Sequence, residues 1–369
     1  MKHLIGQHIL IGVSGHTLTE QEKKFITQNS ISGVVLFDRN IGEPKQVRDL
    51  CQEIQSLRFQ TPNKAPLYIA IDMEGGRVAR LKSPFTQWPP LKKIGDLDSP
   101  SVTFNFAKFM GEELKAVGIN LDFAPCIDVF SNPKNTVIGD RAISTDPEMV
   151  AKHSSALIRG YMKSEVIPCA KHFPGHGDTI VDSHEDLPVE QADMDRLNSL
   201  ELIPFKKAFR SRLEMTMTAH IQFPKIDPEW PVTLSQKFLK DIARNELRYR
   251  GLIITDDLDM KALANHYDKN QIPVRALQAG ADLLLYCNEA DSPAKAIERI
   301  EKALTDGDLK KSDLEQTEKN ILQMKKTNIP NPDVMEWSEA TRWIGHADHF
   351  KLAKAIENGE VPPGLVAMA

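Results

Sequence analysis

What this chain lacks narrows it before any motif is read. It has 4 cysteines in 369 residues, Cys51, Cys126, Cys169 and Cys287, and no Cys-x-x-Cys pair. That excludes a disulfide scaffold and leaves buried, reduced thiols as the expectation. No apolar run approaches the ~18 residues that a membrane span needs, so no membrane partner is expected. Charge of one sign is also missing: 46 Lys+Arg against 51 Asp+Glu leave a formal net charge of −5. A nucleic-acid partner would call for clustered basic residues, and none is expected. No Gly-x-Gly-x-x-Gly turn follows the first strand candidate, which argues against a dinucleotide fold; no cofactor is expected. Gln7 and His8 interrupt the apolar N-terminal segment, and no small-residue cleavage site follows it. Met1–Ser14 therefore reads as a first strand and not as a signal peptide. The expectation is a cytoplasmic monomer acting on a small molecule.

What is present is an ordinary globular composition, 41% hydrophobic and 26% charged. Short apolar runs recur at Ile9–Val13, Gly33–Phe37, Leu67–Ile71, Asn120–Ala124, Val166–Ala170, Met215–Ala219, Leu252–Thr255 and Asp282–Tyr286. Continuous apolar character without alternation indicates burial on both faces, as in a parallel sheet wrapped by helices. Helix signals fill the intervals. Thr19-Glu-Gln-Glu22 is a capping-box pattern, and Phe104–Val117 ends at Gly118, a suitable left-handed cap. Met149–Met162, Leu197–Phe209, Leu239–Leu247, Ala294–Leu304 and Leu314–Met324 carry helical spacing. This alternation predicts an α/β fold, a (β/α)8 TIM-type barrel forming a single catalytic domain over residues 1–328. From Ile329-Pro-Asn-Pro-Asp333 onward the pattern changes. Residues 329–369 read as a short C-terminal extension, expected to pack on the barrel because it holds Trp337 and Trp343.

In such a barrel, function sits at the C-terminal ends of the strands, and here those ends are crowded with ionisable groups. The third strand runs into Asp72-Met-Glu-Gly-Gly-Arg-Val-Ala-Arg80, and the loop after the fourth holds Gly139-Asp-Arg141. The fifth ends at Lys171-His172, the sixth at His220 and the seventh at Asp256-Asp257. Asp256, nearer the strand, is held rigidly, which suits a nucleophile; Asp257 is the better candidate for capping the next helix. The loop Lys171-His-Phe-Pro-Gly-His-Gly-Asp-Thr-Ile-Val-Asp-Ser-His184 supplies a second chemistry. Asp182, two residues from His184, can hold that imidazole in one tautomer as an acid/base group. The crowding of His172, His176, Asp178, Asp182 and His184 leaves a metal-dependent hydrolase as a rival. No His-x-His ends the first strand, however, and the spacing matches no compact metal motif, so no metal is expected. A non-catalytic sugar-binding barrel would need neither Asp256 nor the Asp182–His184 pair.

These motifs, in this order, resemble glycoside hydrolase family 3, and within it the β-N-acetylglucosaminidases of the NagZ type. The resemblance runs from the first strand to about Lys326. It implies Asp256 as nucleophile, His184 as acid/base and Asp182 as its partner. It also implies Asp72, Arg80, Arg141, Lys171 and His172 as the groups that hold the sugar. The implied reaction is retaining hydrolysis of terminal β-linked GlcNAc through a covalent glycosyl-enzyme. The implied substrate is GlcNAc linked to 1,6-anhydro-MurNAc, with or without peptide, in cell-wall recycling. A β-glucosidase of the same family, or a phosphorylase that uses phosphate in place of water, are the alternatives within that resemblance.

Overall fold

The computed structural model describes residues 1–183 and 185–365. Within them, parallel strands close into a barrel in which every neighbour in space is a neighbour in chain order. The strands are β1 Ile9–Gly12, β2 Gly33–Leu36, β3 Tyr68–Ile71, β4 Leu121–Asp122, β5 Ile167–Phe173, β6 Met215–Thr218, β7 Leu252–Asp257 and β8 Leu283–Tyr286. β8 returns to pair with β1, Ile9 opposite Leu284, and closes the circle. All eight expected strands are present, because runs buried on both faces have few other ways to satisfy their backbone.

Two hydrophobic layers follow from the strand period of two. Leu10, Val35, Tyr68, Ala70, Leu121, Ile167, Cys169, Met215, Leu252, Ile254, Leu283 and Leu285 face inward as one cluster. Their neighbours Ile9, Ile11, Val34, Ile69, Ile71, Ala170, Ile253 and Leu284 face the surrounding helices in a second cluster. The barrel is therefore a packed core. Its floor is sealed by the helix Lys311–Asn328, whose Ile321 joins the inner cluster and whose Lys325 is buried against the Tyr68 ring.

Several local details differ from the sequence reading. The N-terminal segment does not begin as strand: Lys2–Gly6 is a short helix, with Leu4, Ile5 and Gly6 buried, and β1 starts at Ile9. The expected helix Leu197–Phe209 is two helices, Met194–Ser199 and Leu202–Arg210. Pro204 has no N–H for the Leu200 carbonyl, so the helix restarts with Pro204 in its first turn. A further helix, Pro44–Ser56, makes the β2–β3 crossover by burying Val47, Leu50, Cys51 and Ile54. The Thr19 capping box is formed as expected, with Thr19 Oγ1 accepting from Glu22 N–H and Glu22 accepting from Thr19 N–H. Beyond residue 328, Val334, Leu352, Ala353 and Ile356 join the outer hydrophobic cluster, while His349 is buried between Glu112 and Glu113. Trp337 and Trp343 stay partly exposed.

Candidate active site

Continuing the inward period by one rung places charge where hydrocarbon ends. Tyr68 and Ala70 lead to Asp72, Ile167 and Cys169 lead to Lys171, and Leu252 and Ile254 lead to Asp256. These positions come from alternate strands, which together make one layer of a barrel. The fourth position of that layer, on β1, is Gly12, where a Cβ would fall 2.6 Å from Arg39 Nη2 and 2.7 Å from the Cys287 carbonyl oxygen. Asp72, Lys171 and Asp256 line a cavity of about 340 Å³ together with Phe37, Arg80, Arg141, His172, His176 and Asn288.

The cavity wall is a charge network centred on a residue that the sequence reading did not single out. Glu74, on the hairpin Met73–Gly75/Val78–Ala79 that follows β3, is 2% exposed. Its two carboxylate oxygens accept Arg141 Nη2–H and Nε–H at 2.8 Å each, a bidentate pair. Lys171 Nζ lies 2.8 Å from the same carboxylate and 2.7 Å from Asp72 Oδ1. Arg80 reaches Asp38 at 3.0 Å and faces Asp72 at 3.7 Å. Burial alone would raise the Glu74 carboxyl, but the Arg141 and Lys171 charges prevail and hold it well below the usual carboxylate range. Burial would likewise strip the proton from Lys171, yet Asp72 and Glu74 hold its ammonium above the ordinary lysine value. Asp72 and Lys171 thus stand as a carboxylate and an ammonium side by side. The first can accept two hydroxyl protons, and the second keeps one N–H beyond its two carboxylate bonds.

His172 is oriented by a second buried acid, Asp128, which is fully enclosed. His172 Nδ1 lies 2.8 Å from Asp128 Oδ2, so Nδ1 carries the proton and Nε2 is left for the cavity. Asp128 also accepts the backbone N–H of His172 at 3.1 Å and of His176 at 2.7 Å. Burial raises its carboxyl, the His172 ring and those donors lower it, and the net value is about 2. His176, buried beside His172, is pushed down to about 4, first by burial and then by the neighbouring ring. It faces Thr179 Oγ1 at 2.7 Å and serves to pin the loop. Gly177 is needed there, since a Cβ would fall 1.6 Å from the Val129 carbonyl oxygen.

Asp256 ends the inward row of β7, and one of its oxygens accepts Asp257 N–H at 2.8 Å. Asp257 itself ties β7 to β8: it accepts from Asn288 Nδ2–H and from the N–H of Cys287 at 3.3 Å. Burial pushes its carboxyl up to about 7. It also accepts Asp259 N–H at 3.1 Å. His220 is buried, with Nδ1 2.7 Å from Thr233 Oγ1 and Nε2 3.0 Å from the Asp257 carbonyl. It steadies the end of β7. Asp182 lies in the loop after β5, where its carbonyl accepts Glu185 N–H and Asp186 N–H at 2.9 and 3.0 Å. It is not part of the cavity wall, although Ser183 is. His184, the expected acid/base, lies outside the described residues, and so does its pairing with Asp182.

Of the loop residues weighed as metal ligands, His172 and His176 pack edge to face with ring centres 5.6 Å apart. Asp178 turns toward Ser131 at 3.1 Å and Arg196 at 3.5 Å. Among the described residues, the one group with metal-ligand spacing is Cys126, Asp128 and His172, all buried. Two signals could have found the missed residues. Glu74 lies two residues from Asp72 in the same motif, and Asp128 is an acid inside the apolar run Phe123–Val129.

Residues 2–324 match the family model described as the glycosyl hydrolase family 3 N-terminal domain. The chain belongs to glycoside hydrolase family 3. It is a glycoside hydrolase of the β-hexosaminidase type. It is 36% identical over 290 residues to a β-hexosaminidase of Nitrosomonas eutropha, covering 77% of this chain and 81% of that one. A family 3 β-N-acetylglucosaminidase from Paenibacillus superposes with a TM-score of 0.91 at 32% identity, over 98% of this chain and 68% of that one. NagZ from Neisseria gonorrhoeae, solved with N-trifluoroacetyl-D-glucosamine, superposes at 0.77 with 28% identity, over 96% and 98%.

Proposed function

We propose that this enzyme is a retaining β-N-acetylglucosaminidase in which Asp256 is the nucleophile. The observation that supports this most is the position of Asp256: it completes the inward row of β7, opposite the Asp72–Glu74–Arg141–Lys171 network and inside the same cavity. A terminal sugar held by its hydroxyls against Asp72, Arg80, Arg141, Lys171 and His172 would present its anomeric carbon on the β7 side. The Asp257 N–H holds one oxygen of the nucleophile in place at 2.8 Å.

In this reading Asp256 displaces the glycosidic oxygen while His184 protonates it, giving a covalent glycosyl-enzyme. Water deprotonated by His184 then releases the sugar with its configuration retained. Asp182 keeps His184 in the useful tautomer. The substrate is GlcNAc β-1,4-linked to 1,6-anhydro-MurNAc, with or without its peptide, and the setting is cytoplasmic recycling of cell-wall fragments by a monomer. Support for the sugar comes from the relatives' names and from the N-acylglucosamine ligand of the gonococcal NagZ complex. As to the setting, no helix among the described residues is long and apolar enough to cross a membrane. In this reading residues 1–328 are the catalytic domain and residues 329–369 a C-terminal extension.

The test is turnover of para-nitrophenyl β-GlcNAc and β-glucoside, with NMR of the first-formed anomer. Release from the GlcNAc substrate alone, as the β-anomer, is expected. Preference for the glucoside or an α-anomer product would overturn the reading, and GlcNAc-1-phosphate as the main product in phosphate buffer would make the enzyme a phosphorylase.

A further inference from the structure

One buried carboxylate joins the C-terminal extension to the stretch that backs the sugar site. Glu113, on the helix Pro100–Ala116, is 2% exposed. Its Oε1 accepts the Thr86 hydroxyl at 2.7 Å and the Gly345 N–H at 2.9 Å, and its Oε2 accepts the Thr86 N–H at 2.9 Å. His349 Nδ1 lies 3.1 Å from the same Oε1, and His349 Nε2 lies 3.3 Å from Glu112 Oε2. A ring with a carboxylate at each nitrogen donates from both, so His349 stands as an imidazolium. Phe109 stacks on its face with ring centres 4.6 Å apart.

The Thr86 end of this clasp bears on the hairpin that carries Glu74. Two residues on, the Trp88 carbonyl accepts the Gly76 N–H at 2.8 Å. The hairpin turn meets that stretch with no spare room. A Cβ on Gly75 would fall 2.6 Å from the Pro89 carbonyl oxygen, and one on Gly76 would fall 2.7 Å from Pro90 Cβ. From the other side, a Cβ on Gly345 would fall 2.6 Å from the Pro84 carbonyl oxygen. Residues 84–90 are therefore held between the extension and the hairpin, which Asp72 and Arg80 flank.

Burial alone would lower the His349 imidazole, but its bonds to Glu112 and Glu113 prevail and raise it above the ordinary value. The other charges near it are few. Lys108 pairs with Glu112 at 2.6 Å, and His346 and Asp348 face His349 from its own segment. From the helix Leu91–Leu97, Lys93 pairs with Glu357 farther along the extension.

We propose that His349 and Glu113 are positioning residues for the sugar site: their clasp fixes residues 84–90 and, through them, the hairpin that presents Glu74 to Arg141 and Lys171. This rests on the glycosidase reading above for the sugar that the hairpin helps to hold. The folded His349 value lies above the unfolded one, so the clasp is complete below about pH 6.5 and loosens as pH rises through the folded value.

Two variants test it. His349→Asn keeps a donor close to the Nδ1 position but cannot titrate, and Thr86→Val keeps the volume but removes the hydroxyl bond to Glu113. With para-nitrophenyl β-GlcNAc near about pH 6, each should raise KM roughly fivefold and leave kcat within about twofold. Wild-type KM should rise in alkali, and His349→Asn should lose that step. Hydrogen exchange of the unliganded chain reads the hairpin without catalysis. The Gly76 amide should exchange roughly fivefold faster in both variants, with the β6 amides unchanged. Wild-type exchange at Gly76 in both variants overturns the proposal. Faster exchange with unchanged KM overturns it too, since the clasp would then support the fold alone, and so does an alkaline step in KM that persists in His349→Asn. A wild-type chain inert toward the glycoside would retire the glycosidase reading, and exchange at Gly76 would still decide whether the clasp holds the hairpin.

Discussion

Replacing Glu74 with glutamine isolates the charge that holds the sugar pocket together. The substitution keeps the shape of the side chain but leaves Arg141 and Lys171, both nearly enclosed, sharing one neutral oxygen. Breaking a buried pair by removing one partner costs about 3–5 kcal/mol, and the retained carbonyl places this case near about 3. At about 2 °C per kcal/mol for a chain of this size, the melting temperature should fall by about 6 °C. The pH dependence gives an independent check. The folded Glu74 carboxyl sits below its unfolded value, so its contribution is fully present above about pH 4.3 and is lost as pH falls through the folded value. Scanning calorimetry of both proteins should therefore show a constant gap from about pH 7 to about pH 5 that narrows on further acidification. An unchanged melting temperature at neutral pH, or a gap that widens in acid, would refute the argument.

Other expectations follow from the same geometry. Asp128→Asn keeps the volume but removes the carboxylate that fixes His172 Nδ1–H; kcat/KM should fall roughly a hundredfold with the far-UV spectrum unchanged, and wild-type kinetics would remove Asp128 from the site. At the barrel floor, burial pushes the Lys325 ammonium down to about 7 while its Nζ donates to the Ser32 carbonyl at 2.8 Å. Because the folded value lies below the unfolded one, this group's contribution is present above about pH 10.4 and is lost as pH falls through the folded value. Lys325→Met should accordingly melt higher than wild type near about pH 6, with the difference shrinking toward about pH 9; a lower melting temperature at the acid end would contradict it.

The fold was readable because eight strands buried on both faces leave a strong one-dimensional trace, and the period of two then carries Asp72, Lys171 and Asp256 onto one inner rung. What was not readable depends on partners far apart in the chain. Glu74 matters because Arg141, 67 residues away, closes on it, and no local pattern announces that pair. Asp128 is, in sequence, one acid inside an apolar run, and its role is set by His172 and His176, which meet it across the β4–β5 loops. The tail shows the opposite failure. Tryptophan content suggested its anchors, yet the buried contacts are made by Leu352, Ile356 and the His349–Glu113 pair. The split at Pro204 was available from the missing N–H alone but was masked by helical spacing on either side.

Azide rescue of Asp256→Ala is the most direct test of Asp256 as the nucleophile. With para-nitrophenyl β-GlcNAc, the variant should lose all but about 10⁻⁴ or less of wild-type kcat. Added azide, small enough to enter the space left by the carboxylate, should restore nitrophenol release and yield the α-azide of GlcNAc, because attack then comes from the face that Asp256 occupied. A variant that keeps substantial turnover without azide, or one whose azide product is the β-anomer, would contradict Asp256 as the nucleophile.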